Sequence, residues 1–129
     1  MKIIADTNTF LAVALEEPEK QQLVSLTEGC DLAAPAVLPY EIGNALSSLL
    51  RRKVLTVAQF PAVWDAVQAI PVELLPVDVR ASLDLAAQFG LYAYDAYFLQ
   101  CAVSERCPLL SLDKRVKVVA PKLGIRLLE

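Results

Sequence analysis

Lys2-Ile3-Ile4-Ala5-Asp6 is the stretch that decides the fold: three consecutive apolar residues with a charged residue at each end. A half-buried strand alternates apolar with polar residues, whereas a short unbroken apolar run fits a strand buried on both faces of a parallel sheet. Asp6 then stands at the carboxyl end of that strand. Further strands are expected at Asp31–Ala34, at Val72–Val77 despite Pro76, at Pro108–Leu112 ending on Asp113, and at Ile125–Leu128 as a terminal strand.

The segments between them read as helices. Thr9–Leu15 and Glu19–Glu28 are helix-compatible, separated at Glu17-Pro18 and stopped by Gly29. In Tyr40–Arg52 the residues Ile42, Ala45, Leu46, Leu49 and Leu50 recur at amphipathic helix spacing, and Arg51-Arg52-Lys53 falls where the helix dipole favours cations. Thr56 is expected to cap a helix reaching Ala69. Asp78 caps Val79–Phe89, which Gly90 closes, and Tyr94–Glu105 presents Phe98, Leu99, Ala102 and Val103 as an apolar face. Lys114–Ala120 reads as a short helix. Strands alternating with such segments pair in parallel through right-handed crossovers. The expected fold is α/β, a three-layer α/β/α sandwich around a central, mainly parallel sheet of four to five strands, forming one domain over residues 1–129.

Composition narrows the chemistry. The AVILMFWYC class supplies 56% of the 129 residues, enough for a core, and 15 acidic against 12 basic residues give a net charge of −3. No global positive field therefore draws in a polyanion, so any nucleic-acid contact must be local or bridged by metal. The chain has no histidine, which removes Ser-His-Asp and Cys-His nucleophile systems, imidazole bases and His-containing zinc sites. Cys30, Cys101 and Cys107 form no CxxC pair, and their odd number suits a reducing cytosol. No uncharged stretch reaches the roughly 18 apolar residues of a membrane span, and the chain is expected to begin at Met1 in the cytoplasm.

Carboxylates remain as the main chemical tool. Asp6 and Asp113 follow the first and fourth strands, and Glu41 opens the helix leaving the second. Asp95 opens the helix that runs back before the fourth strand, so all four acids belong to the carboxyl edge, where ligands of such sheets collect. Taken singly, Asp6 and Asp113 read as helix caps, and Glu41 and Asp95 as first-turn acids favoured by the dipole. Taken together, four carboxylates at one place cannot all stay ionised without a cation. Oxygen donors alone suit Mg²⁺ or Mn²⁺, which can activate water and polarise a phosphoryl oxygen, and one or two ions would fit. Thr7, Asn8, Asn44 and Ser111 are the neighbours able to orient these acids or a phosphate. Arg51, Arg52, Lys114 and Arg115 are the cations able to contact phosphates at the rim.

Ile3-Ile4-Ala5-Asp6-Thr7-Asn8, Tyr40-Glu41-Ile42-Gly43-Asn44-Ala45-Leu46, Tyr94-Asp95-Ala96-Tyr97-Phe98-Leu99 and Leu110-Ser111-Leu112-Asp113 resemble, in order and spacing, the four acidic motifs of PIN-domain ribonucleases. The small size is most similar to VapC-type toxins of toxin-antitoxin pairs, with Ser111 where the family commonly has threonine. The resemblance implies a Mg²⁺- or Mn²⁺-dependent endoribonuclease with Asp6, Glu41, Asp95 and Asp113 as its metal-binding, catalytic quartet. It also implies an RNA substrate, a homodimer, and a cognate antitoxin that blocks the groove. Two other readings use the same acids. A receiver-like Mg²⁺-binding phospho-switch has this length, but here only one acid follows the first strand and two helices separate strands two and three. A haloacid-dehalogenase-like phosphatase would need a second aspartate where Asn8 stands. A PIN-like RNA-binding module without cleavage is the remaining alternative.

Overall fold

The computed structural model describes all 129 residues. Four strands, β1 (Lys2–Ala5), β2 (Asp31–Pro35), β3 (Glu73–Leu75) and β4 (Leu109–Leu110), form one sheet in the order β3-β2-β1-β4, with every pair parallel. Seven helices flank it: α1 (Thr7–Ala14), α2 (Lys20–Thr27), α3 (Leu38–Arg51), α4 (Phe60–Gln68), α5 (Val79–Phe89), α6 (Ala93–Glu105) and α7 (Lys114–Lys122). The chain steps outward from β1 to β2 to β3, then returns across the sheet to place β4 on the other side of β1. Right-handed crossovers put helices of the outward steps and of the return on opposite faces. The packing agrees: α1 meets α2, α3 and α4, while α6 crosses β1 and β2 and meets α5 and α7. The reversal also makes the crevice between β1 and β4 the topological switch point, the place where such sheets bind ligands.

Burial explains the strand composition. Ile3, Ile4, Ala33, Ala34 and Leu109 are inaccessible to solvent, because the inner strands are covered on both faces. Alanines in β2 let the flanking layers approach. The short edge strand β3 lies between Pro71 and Pro76, which limit pairing with another chain. At the amino edge Lys2 Nζ bridges Glu73 and Glu105, each at 3.1 Å, tying β1 to β3 and to the end of α6.

Several expected boundaries shift for physical reasons. Asp78 and Gly90 bound α5 as expected: Asp78 Oδ1 accepts from the Ala81 N–H at 3.0 Å, and Gly90 takes a φ of 65° that a side chain disfavours. Thr56 and Gln59 exchange side chain-to-backbone bonds at 3.0 and 3.2 Å, a reciprocal cap around a turn, so regular helix starts only at Phe60. The expected terminal strand at Ile125–Leu128 is reduced to a single parallel bridge between Leu109 and Leu127. Its partner β4 is only two residues long. Val103, expected on the apolar face of α6, is 39% exposed, while Cys101 is buried. It lines an open cleft with Met1 and Lys2 at the amino edge.

Gly43 lies inside α3, and a Cβ built there would meet nothing within 4 Å. Glycine in a helix interior costs about 1 kcal/mol relative to alanine. Gly43→Ala is expected to stabilise the fold by roughly that amount, measured as a raised Tm. A lowered Tm would contradict this account of α3.

A candidate carboxylate metal centre

Four segments remote in sequence deliver acids to the carboxyl edge. Asp6 follows β1 directly and caps α1, its Oδ1 accepting from the Thr9 N–H at 3.3 Å. Thr9 Oγ1 donates to the Asp6 carbonyl at 2.7 Å, which fixes the turn between strand and helix. Asp113 caps α7, its Oδ1 accepting from the Val116 N–H at 3.0 Å. Glu41 and Asp95 occupy the first turns of α3 and α6. Capping and convergence are thus one device here. Each acid stands at the amino end of a helix, whose unpaired N–H groups and dipole offset part of its charge.

Two hydroxyls lock the arrangement. Ser111 Oγ donates to Asp6 Oδ2 and at the same time accepts from the Asp113 N–H at 3.0 Å, joining the end of β1 to the start of α7. Thr7 Oγ1 donates to Glu41 Oε2 at 2.7 Å, joining α1 to α3. Both Asp6 oxygens therefore have donors. Glu41 Oε1, Asp113 Oδ2 and both oxygens of Asp95 accept no hydrogen bond from the protein.

The electrostatics register the crowding. Asp6, 7% exposed, is pushed up from 3.8 to about 6, first by burial and then by Asp113 and Glu41, against the downward pull of the Ser111 and Thr9 bonds. Glu41 is raised by burial and by Asp95, with Thr7 pulling it down. Asp95 is raised by burial and by Asp113, and lowered by Arg115. Asp6, Glu41 and Asp95 are each raised in part by a neighbouring acid, and Arg115 is the cation that acts on Asp95. Its guanidinium reaches over Gly90, with Nη2 3.8 Å from where a Cβ would stand.

The other expected neighbours divide. Asn8 and Asn44 are exposed and hydrogen-bond none of the acids. Lys114, Arg51 and Arg52 are exposed as well. Arg52 lines an open cleft of about 500 Å³ between α1 and α3, together with Asn8, Leu112, Glu17 and Glu19. Two exposed tyrosines, Tyr40 and Tyr92, went unnoticed as site residues. The signal was present, since every tyrosine of the chain lies within three residues of Glu41 or Asp95.

An all-oxygen donor set suits a hard cation such as Mg²⁺ or Mn²⁺ and offers zinc no soft ligand. No three acids stand close enough to form a ready-made cage. Mg²⁺ keeps several waters and takes one or two carboxylates directly, so it does not require such a cage. The open oxygens of Asp95, Glu41 and Asp113 fit this mode of binding.

Comparison with known proteins places this geometry in a family. The PIN domain model matches residues 3–122. Ribonuclease VapC3 of Pyrobaculum aerophilum is 23% identical over 128 residues, covering 95% of this chain and 98% of that protein. The crystal structure of PAE2754 from Pyrobaculum aerophilum shares the fold with a TM-score of 0.68 at 20% identity, covering 96% of each chain. VapBC2 from Rickettsia felis, solved with a DNA fragment from their promoter, gives a TM-score of 0.66 at 14% identity over 98% of this chain and 97% of that one. A receiver-like order would set β1 between β2 and β3, whereas here β1 lies between β2 and β4. With the family model spanning all four acids, the chain belongs to the PIN domain family.

Proposed function

We propose that this chain is a Mg²⁺- or Mn²⁺-dependent endoribonuclease of the VapC type, the toxin of a toxin-antitoxin pair, built as one PIN-like unit over residues 1–129. The observation that carries the reading is the convergence of four carboxylates from four segments on the switch-point edge, with four of their eight oxygens free of protein donors. The likeness to Ribonuclease VapC3 supports RNA as the substrate. Asp6, Glu41, Asp95 and Asp113 are the residues to hold the cation. When bound, the ion supplies Lewis acidity at a phosphodiester and lowers the pKa of water.

The rest is the work of this chain. Ser111 and the Thr9 N–H hold Asp6 in one orientation, so its carboxylate needs no reorganisation during the reaction. Thr7 does the same for Glu41. Arg115, beside Asp95, and Lys114 at the start of α7 are placed to meet phosphate oxygens, and Arg52 lies farther along the α1–α3 cleft. With a net charge of −3 the chain has no general attraction for RNA, so local contacts must supply the affinity. A cognate antitoxin that covers the acidic edge and a homodimer complete the proposal, supported by the VapBC2 likeness and the family resemblance. No helix is long and apolar enough to cross a membrane, and a cytoplasmic site of action is part of the same reading.

Asp6→Asn and Asp95→Asn are each expected to lower metal-dependent cleavage of a mixed RNA pool more than about a hundredfold while circular dichroism stays unchanged. Ser111→Ala, which frees Asp6 to turn, is expected to lower it by roughly ten- to hundredfold. Full activity in both aspartate variants would overturn the assignment. A pH prediction follows from Asp6. Its folded pKa of about 6 lies above its ordinary 3.8, so the folded state holds the extra proton between those values. Stability in EDTA should therefore fall as pH rises from about 4 to about 6, by up to about 3 kcal/mol. Denaturant unfolding across that range should show the fall in the parent and a flatter curve in Asp6→Asn.

A further inference from the structure

Phe10 and Phe98 are core residues, and Phe60, Trp64 and Phe89 pack half-buried against the core, whereas all four tyrosines lie around the starts of α3 and α6, within three residues of Glu41 or Asp95. Tyr94 and Tyr97 meet edge-on, with ring centroids 5.9 Å apart and planes at 87°, a contact that helps hold both rings. Tyr40 and Tyr92 have no such partner and are 76% and 78% exposed. Two large rings are left in water, one next to Glu41 in α3 and one at the cap of α6, three residues before Asp95.

The surface of α3 supplies an independent observation. Residues three and four apart share a helix face. The face carrying Glu41 therefore continues through Ala45 and Ser48 to Arg52, and these three residues line the cleft between α1 and α3. The adjoining face holds Tyr40, Asn44, Ser47 and Arg51, all exposed and none acidic. Gly43 interrupts it, and nothing in the molecule lies within 4 Å of where its Cβ would stand. No packing inside the protein asks for glycine there. A bare stretch of backbone beside an exposed ring admits a flat group close to the helix.

We infer that Tyr40 and Tyr92 are stacking platforms for unpaired bases of single-stranded RNA, one on the Glu41 side and one on the Asp95 side of the carboxylates. This inference rests on the nuclease reading above and adds how an acidic protein holds a polyanion. Stacking does not depend on charge and accepts any base, so it supplies affinity where phosphate contacts are few. A base inside a duplex cannot offer its face to a tyrosine, which makes the site selective for unpaired RNA.

The test measures binding of a fluorescein-labelled, randomised single-stranded RNA by anisotropy in EDTA, which separates binding from cleavage. The comparison ligands are a fully abasic strand of the same length and a duplex. Tyr40→Ala and Tyr92→Ala should each weaken binding of the single strand about five- to hundredfold. Tyr40→Phe and Tyr92→Phe should restore it, since the ring and not the hydroxyl stacks. Gly43→Leu should weaken it too, with the Tm unimpaired. The abasic strand and the duplex should bind weakly and equally to every variant. Unchanged affinity in both alanine variants, or parent affinity for the abasic strand equal to that for RNA, would overturn the inference. So would a lower mass of the alanine variants in sedimentation, because the rings would then form a contact between copies. Cleavage assayed in parallel with Mn²⁺ separates the two claims. A parent that cuts RNA with no help from the tyrosines defeats the platforms alone, and one that binds through them but never cuts defeats the nuclease reading alone. A parent that neither binds nor cuts defeats both.

Discussion

An aspartate held almost out of water at the end of β1, with Asp113 and Glu41 in electrostatic reach, is the constraint around which the carboxyl edge is built. Ionising Asp6 there is unfavourable, as its pKa of about 6 records. A simple core would have replaced it with an apolar residue or a neutral cap. Instead the neighbourhood is arranged around the charge. Ser111, just past the end of β4, reaches Asp6, Thr7 reaches Glu41, and four helices direct their amino ends toward the acids. These devices limit the penalty and fix the geometry, and the open oxygens leave a place for a divalent cation to complete the compensation.

Topology explains why such a site forms at this place. The return from β3 to β4 crosses the sheet and opens the crevice between β1 and β4. Elements 100 residues apart can then deliver side chains to one spot while each keeps an ordinary local role. Asp6 and Asp113 are helix caps, as their positions after strands suggest, and they are also members of the charged set. The local and the collective reading of these residues are compatible because a capping carboxylate uses one oxygen and leaves the other for a second partner.

Much of this was legible in the chain. Ile3-Ile4-Ala5 gave the central strand, the Asp78 and Gly90 pair gave the bounds of α5, and the four motifs gave the family. What stayed hidden depends on contacts between distant segments. The two-residue length of β4 and the reduction of the terminal strand to a single bridge are set by pairing between segments far apart in the chain. Val103 has an apolar side chain at helix spacing but lies over the open amino-edge cleft, which periodicity does not reveal. Asn8 and Asn44 have the chemistry to support the acids, yet both face solvent. Tyr40 and Tyr92 are exposed at the starts of the helices that carry Glu41 and Asp95, which apolar periodicity does not reveal.

The claim that the carboxylate set is a cation site is tested most directly by calorimetric titration of Mn²⁺ into the metal-free parent and the Asp6→Asn variant at neutral pH. The account predicts saturable binding in the parent, competed by Mg²⁺, and little or none in the variant. Equal binding by the two proteins, or none by either, would contradict it.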